Sequence, residues 1–181
     1  HLVEQAMAGD HGAFSELARA RIGRLYAVAI LILRDQARAE DATQEALVAA
    51  WRDLSALRDP DKFDAWLHRL LIRACYREAR RARGRPTIDV QVAPLEPAVP
   101  DGSLLLADRD EVERAFRRLD QDQRSVVVLH FYVGLPLAEV ADALGIPVGT
   151  VKSRLHRATR VMRSAIDADA RPTVVPERRP A

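Results

Sequence analysis

The chain has 181 residues, 48% hydrophobic but only 5% aromatic, and a formal net charge of +2. That suffices for a core in one mid-sized domain or two small ones, and the dominance of Ala, Leu, Val and Arg favours helix over sheet. No apolar run reaches the ~18 residues of a membrane span, no signal peptide is visible, and the single cysteine, Cys75, excludes a disulfide framework and a cysteine-built zinc site; a soluble protein of the reducing cytoplasm is expected.

The first predicted helix carries Phe14, Leu17, Ile22, Leu25, Tyr26 and Ala29 as its apolar stripe, with Gly23 a mild weak point. Arg34-Asp35-Gln36 reads as a break. A second helix follows from Asp41 to Leu54, its period set by Ala42, Ala46, Leu47, Ala50, Trp51 and Leu54. Asp59-Pro60 is a stop signal. A third helix, from about Asp61 to Arg83, buries Phe63, Trp66, Leu67, Leu70, Leu71, Ala74 and Cys75. Its other face stacks Arg69, Arg73, Arg77 and Arg80, spaced four, four and three residues apart.

Four prolines and no usable period mark the stretch from Pro86 to about Gly102 as a linker. Short helices are expected around Val112, Phe116 and Leu119, over Ser125 to Val133 and over Leu137 to Leu144. A long one follows from Val148 to about Ile166, and a proline-containing disordered tail ends the chain. The expected organisation is all-α. Two small helical domains, 1–85 and 105–167, are joined by a flexible linker, 86–104, with a disordered tail, 168–181.

The small net charge hides a strong asymmetry. Residues 62–85 carry 8 basic and 2 acidic side chains, and residues 147–163 carry 5 basic and none acidic. Both blocks concentrate positive potential where a polyanion can bind, although solvated helix faces would look the same by charge alone.

The segment 137–160 is more specific. Ala141 is small where two helices cross, Gly145 supplies the turn, and Ile146, Val151 and Leu155 bury between the helices. Pro147 fits the first turn of the second helix. That helix presents Thr150, Lys152, Ser153, His156, Arg157 and Arg160 outward, donors suited to phosphates and base edges in a major groove. A plain helical hairpin shares the apolar pattern but rarely a second helix so basic. His156 taken alone would be a solvated histidine; only its neighbours raise it.

At Val148-Gly149-Thr150-Val151-Lys152-Ser153-Arg154-Leu155-His156-Arg157-Ala158 the chain resembles region 4 of the sigma-70 superfamily, in particular its extracytoplasmic-function (ECF) group. Leu119 to Arg124 and Tyr132 to Leu135 extend that likeness upstream. Ala39-Glu40-Asp41-Ala42-Thr43-Gln44-Glu45-Ala46 with Trp51 resembles region 2.2, and Phe63-Asp64-Ala65-Trp66-Leu67 resembles the start of regions 2.3 and 2.4.

The resemblance implies an alternative sigma factor: a non-enzymatic subunit that binds core RNA polymerase, recognises the −35 and −10 promoter elements and promotes strand opening. It implies that Asp41, Gln44, Glu45 and Trp51 dock on the β′ coiled coil, although Trp51 and Trp66 read more readily as core. Arg58, Asp61, Lys62 and Phe63 would form the loop that captures an unpaired −10 base. Arg69, Arg73, Arg77 and Arg80 would lie along the non-template strand, and Thr150, Lys152, Ser153, His156, Arg157 and Arg160 would face the −35 element. The β flap and an anti-sigma protein are further implied partners. No cofactor, metal, membrane insertion or homo-oligomer is expected.

Two departures stand out. Arginines occupy 73 and 77 where many relatives carry Asn and Asp, so the −10 base preference is not inherited. Pro136 replaces a common capping serine, at a cost of about 1 kcal/mol. The rival reading, a stand-alone helix-turn-helix regulator, needs a dimerisation surface to bind two half-sites, and no heptad or extra domain supplies one. The two elements lie about 25 base steps apart, roughly 85 Å at ~3.4 Å per step. A linker of about 20 residues reaches at most ~70 Å and each domain adds its own breadth, so the span closes only with the linker extended, and a polymerase-bound form is expected.

Overall fold

Asp10 starts the first long helix: its carboxylate accepts from the backbone N–H groups of Gly12 (2.7 Å) and Ala13 (3.0 Å), which have no partner within the helix. The computed structural model describes residues 1–82 and 103–169, side chains of 103–109 and 169 excepted, and the described residues are helices and turns. A short α1 (Leu2–Met7), not anticipated from the sequence, precedes α2 (His11–Leu33), which runs unbroken through Gly23. The break at 34–36 is as expected. Arg34 adopts a left-handed backbone (φ 55°) and Asp35 caps α3 (Gln36–Asp53) through Arg38 N–H.

Within α3, Ala39, Ala42, Ala46 and Ala50 are fully buried. A face of methyl groups lets α3 lie close against α2 and α4 (Phe63–Ala82), with which it shares most of its contacts. Two 3-10 turns, Leu54–Ala56 and Pro60–Lys62, connect α3 to α4, and Asp59 caps the second. On α4 the apolar stripe holds, with Leu67, Leu71, Ala74 and Cys75 at 1% exposure or less; Trp66 is only half-buried. Ile22 departs from expectation, lying 45% exposed on α2.

The second half comprises α5 (Ser103–Arg117), α6 (Gln121–Val127), a single π turn (Val128–Tyr132), α7 (Leu137–Leu144) and α8 (Val148–Asp169). Helix α5 takes up the last two residues of the expected linker, and α8 extends two residues into the expected tail, shifts normal for fraying ends. The remainder of that linker and tail lies outside the described residues. A capping box opens α6: Gln123 N–H donates to Asp120 Oδ1 (2.8 Å) and Asp120 N–H to Gln123 Oε1 (3.1 Å). Pro136 caps α7 without a side-chain bond, as expected. Pro147 precedes α8 rather than standing inside it; its carbonyl accepts from Thr150 and Val151.

The two halves pack on each other, α4 against α7 and α2 against α6 and the π turn, so one buried apolar cluster runs from Leu67 and Leu71 to Val126, Leu129, Val140 and Val151. Among the described residues, hydrogen bonds also cross this seam. Arg24 Nη2 donates to the Val133 carbonyl (3.0 Å), Arg124 Nε to the Ile32 carbonyl (2.9 Å), and the Tyr76 hydroxyl to Asp122 (2.6 Å). Arg124 thereby satisfies a carbonyl at the negative end of α2, where a cation is favoured.

Candidate nucleic-acid interface

Helices α7 and α8 form a helix-turn-helix. Ala141 (4% exposed) and Val151 (0%) fill the crossing, and Gly145 takes φ 66° at the turn, where a Cβ would be strained. Ile146 and Leu155, expected to bury there, are half-buried. The outward face of α8 carries Lys152, Ser153, His156, Arg157 and Arg160, all exposed, with Thr150 half-exposed at its start. Ser153 Oγ donates to the Thr150 carbonyl (2.9 Å), while Arg157 leans back on Ser153 (Nε to carbonyl O, 3.3 Å), which gives this face one ordered edge. Arg154 points the other way, its Nη2 held by Asp122 Oδ2 at 2.7 Å. This pair braces α8 against α6.

The second cationic surface lies on α4. Arg73 and Arg80 are exposed; Arg69 and Arg77 are half-exposed. Arg77 Nε donates to Glu45 Oε1 at 2.8 Å, so residues expected on different surfaces meet here. At the start of α4 the expected base-capturing loop exposes Arg58, Asp61 and Lys62. Phe63 does not face outward: it is 3% exposed, beneath the Arg21 guanidinium (5.1 Å from the ring centroid) and beside Trp66. It forms the loop's floor, because an aromatic at the first helical turn gains more by burial than by exposure.

A third surface is on α3. Asp41 and Gln44 are exposed, Glu45 is partly so, and Val48, at 66% exposure, sits among them. Trp51 is not core. It is 36% exposed and packs on His11 and Phe14, with ring centroids 4.5 and 5.0 Å away.

Two sigma-70 family profiles match this architecture: "Sigma-70 region 2" over residues 17–85 and "Sigma-70, region 4" over residues 109–162. The chain is 37% identical over 159 residues to the ECF RNA polymerase sigma factor SigM of Mycobacterium tuberculosis, covering 87% of this chain and 79% of that one. It is 31% identical to the RNA polymerase sigma-H factor of Pseudomonas aeruginosa, covering 94% and 93%. The chain belongs to the ECF group of the sigma-70 family. Among solved structures, the sigma factor RpoE of Bartonella quintana in complex with the anti-sigma factor NepR is similar at TM-score 0.70 and 25% identity, covering 86% of this chain and 98% of that one. CnrH in complex with the cytosolic domain of CnrY is similar at 0.65 and 28%, covering 93% and 97%.

In this sigma factor the α3 and α4 surfaces belong to region 2 and the helix-turn-helix to region 4. Region 4 also has a feature that sequence reading missed. An open apolar groove of about 540 Å³ lies between α5, α6 with the π turn, and α8, lined by Val112, Phe116, Val127, Phe131, Met162 and Ile166. The i→i+5 bond from Val133 N–H to the Val128 carbonyl (2.9 Å) marks the wide turn from which Phe131 projects, 67% exposed. Exposed aromatics in Phe131-Tyr132 were the available sequence signal. Cys75 is inert: burial pushes its thiol up to about 12. Among the described residues no group of three or more His, Cys, Asp or Glu is arranged to hold a metal, and no helix is long and apolar enough to cross a membrane.

Proposed function

We propose that this chain is an alternative sigma factor that binds core RNA polymerase, places region 4 on the −35 element and region 2 on the −10 element, and promotes strand opening in the cytoplasm. The observation that carries this reading is the pairing of two separate cationic helix faces, on α4 and α8, in one chain that matches both sigma regions. A stand-alone regulator has no use for the first face.

The positive N-terminal end of α8 and Lys152, Arg157 and Arg160 suit duplex phosphates, with Ser153 and His156 turned to base edges. Arg58, Asp61 and Lys62 over the Phe63 floor would hold an unpaired base, and Arg69, Arg73, Arg77 and Arg80 would track the single strand. Binding the unstacked strand in preference to the duplex offsets the few kcal/mol per base that unstacking costs. Asp41, Gln44, Glu45 and Trp51, around exposed Val48, would dock on the β′ coiled coil. The region 4 groove suits one apolar face of an amphipathic helix from the β flap. No step requires covalent catalysis. The similarity to sigma factors solved with anti-sigma factors supports an inhibitory protein partner. Since the described form holds regions 2 and 4 against each other, spanning both elements requires the seam to open on the polymerase.

Run-off transcription with purified core polymerase on a promoter library tests this reading. Template-dependent transcripts that require the chain support it, and failure of the chain to associate with core polymerase at low salt overturns it.

A further inference from the structure

We propose that Glu45 and Arg77 form an interlock between the polymerase-docking and DNA-binding surfaces of region 2, in which polymerase takes Glu45 and thereby releases Arg77 to the single strand. The inference rests on the roles proposed above for α3 and α4.

Of the four arginines on the α4 face, Arg77 is the one held by a carboxylate among the described residues. Its partner stands on α3, on the same side as Asp41, Gln44 and Val48. The side chains of Arg77 and Glu45 are 43% and 35% exposed, so water and competing ions reach both. A half-exposed pair of this kind contributes little to stability. It is therefore poorly suited to hold the fold together and well suited to exchange. While the pair stands, Arg77 leans towards α3, and the Glu45 charge lowers the positive potential along the α4 groove. A basic surface docking on α3 competes for the Glu45 carboxylate. Its arrival frees one guanidinium and neutralises one anion beside the DNA path. By linkage, DNA that takes Arg77 strengthens polymerase docking by the same factor.

The test uses the full chain, free and bound to core polymerase, with a fluorescent single-stranded −10 oligonucleotide. Thermal melting verifies that Glu45→Gln, Arg77→Gln and the double variant are folded. For the free chain, Glu45→Gln is expected to raise oligonucleotide affinity about two- to fivefold. The gain should vanish in Glu45→Gln/Arg77→Gln. In the polymerase-bound chain, Arg77→Gln should lower the slope of log affinity against log salt by about 0.7, the contribution of one phosphate contact to a single strand. In the free chain the same change should leave the slope unaltered. No gain in Glu45→Gln, or a gain that persists in the double variant, overturns the interlock even where polymerase binding is intact. A wild-type chain that fails to bind polymerase removes the reading beneath it as well.

Discussion

The Tyr76 hydroxyl donates to Asp122 Oδ1 at 2.6 Å while Asp122 Oδ2 is held by Arg154 at 2.7 Å. One side chain of region 2 thus grips the carboxylate that braces the recognition helix of region 4. Burial first, and donation to Asp122 second, push the Tyr76 hydroxyl up to about 12, so it remains a donor at any physiological pH.

Tyr76→Phe removes this bond yet leaves Asp122 partnered by Arg154, so no buried charge is orphaned. The closed arrangement should lose about 1 kcal/mol, roughly a fivefold shift towards separated regions. Energy transfer between dyes placed at exposed Ser55 and Asp142 would report the shift as a fall in efficiency. Unchanged transfer would mean that the apolar seam alone holds the regions together.

Arg157→Ala should weaken −35-dependent initiation without affecting polymerase binding. Arg157 is exposed on α8 and reaches back only to Ser153, at 3.3 Å, so folding should change little. If it meets a base edge, the loss is about 1–3 kcal/mol and specific to one base pair. If it meets a phosphate, the loss is even across sequences and the duplex salt slope falls by about 0.9. Promoter-variant titrations at two salt concentrations separate the two, and a fall in polymerase pull-down would contradict the assignment.

The helix-turn-helix was legible because its constraints are local. Gly145, Ala141 and Val151 each have one place to go once two helices must cross within a few residues. Region 2 was legible in its stripe on α4 but not in its exceptions. Phe63 is buried as its place in that stripe predicts, but Trp51, read as core, lies at the surface, because the rings it packs on (His11 and Phe14) come from α2, far away in sequence. The Arg77–Glu45 pair spans 32 positions and no period announces it. The region 4 groove depends on a π turn, which a 3.6-residue pattern cannot signal.

Phe131 offers a clean test of that groove. Because its ring is 67% exposed, Phe131→Ala should change stability by no more than about 0.5 kcal/mol. A buried aromatic anchor at an interface, by contrast, contributes about 2 kcal/mol or more. Affinity for core polymerase, or for an isolated β-flap helix, should therefore fall at least about tenfold while the melting temperature holds. Wild-type affinity in this variant would remove the groove from the docking surface.

His68 makes the last prediction, in pH. It is buried at 6% exposure on α4, and its Nδ1 donates to the Asp64 carbonyl at 2.7 Å, which leaves Nε2 without a partner. Burial is the main cause that lowers its pKa below 6.5, and the nearby Arg24 charge adds to it against the opposing pull of Asp64. A depressed folded value means that the folded state resists protonation. The stability tied to His68 is then complete above about pH 6.5 and is lost as pH falls from there through the folded value. The slope cannot exceed about 1.4 kcal/mol per pH unit for one group. Arg24 also donates across the seam to Val133, so a cation at His68 should loosen region 4 from region 2 as well. His68→Leu keeps the site apolar and removes the titration. Its melting temperature should fall less than that of the wild type between pH 7.5 and 5.5, and the Ser55–Asp142 energy transfer of the wild type should drop over the same range. Parallel melting curves for the two proteins would show that acid acts elsewhere.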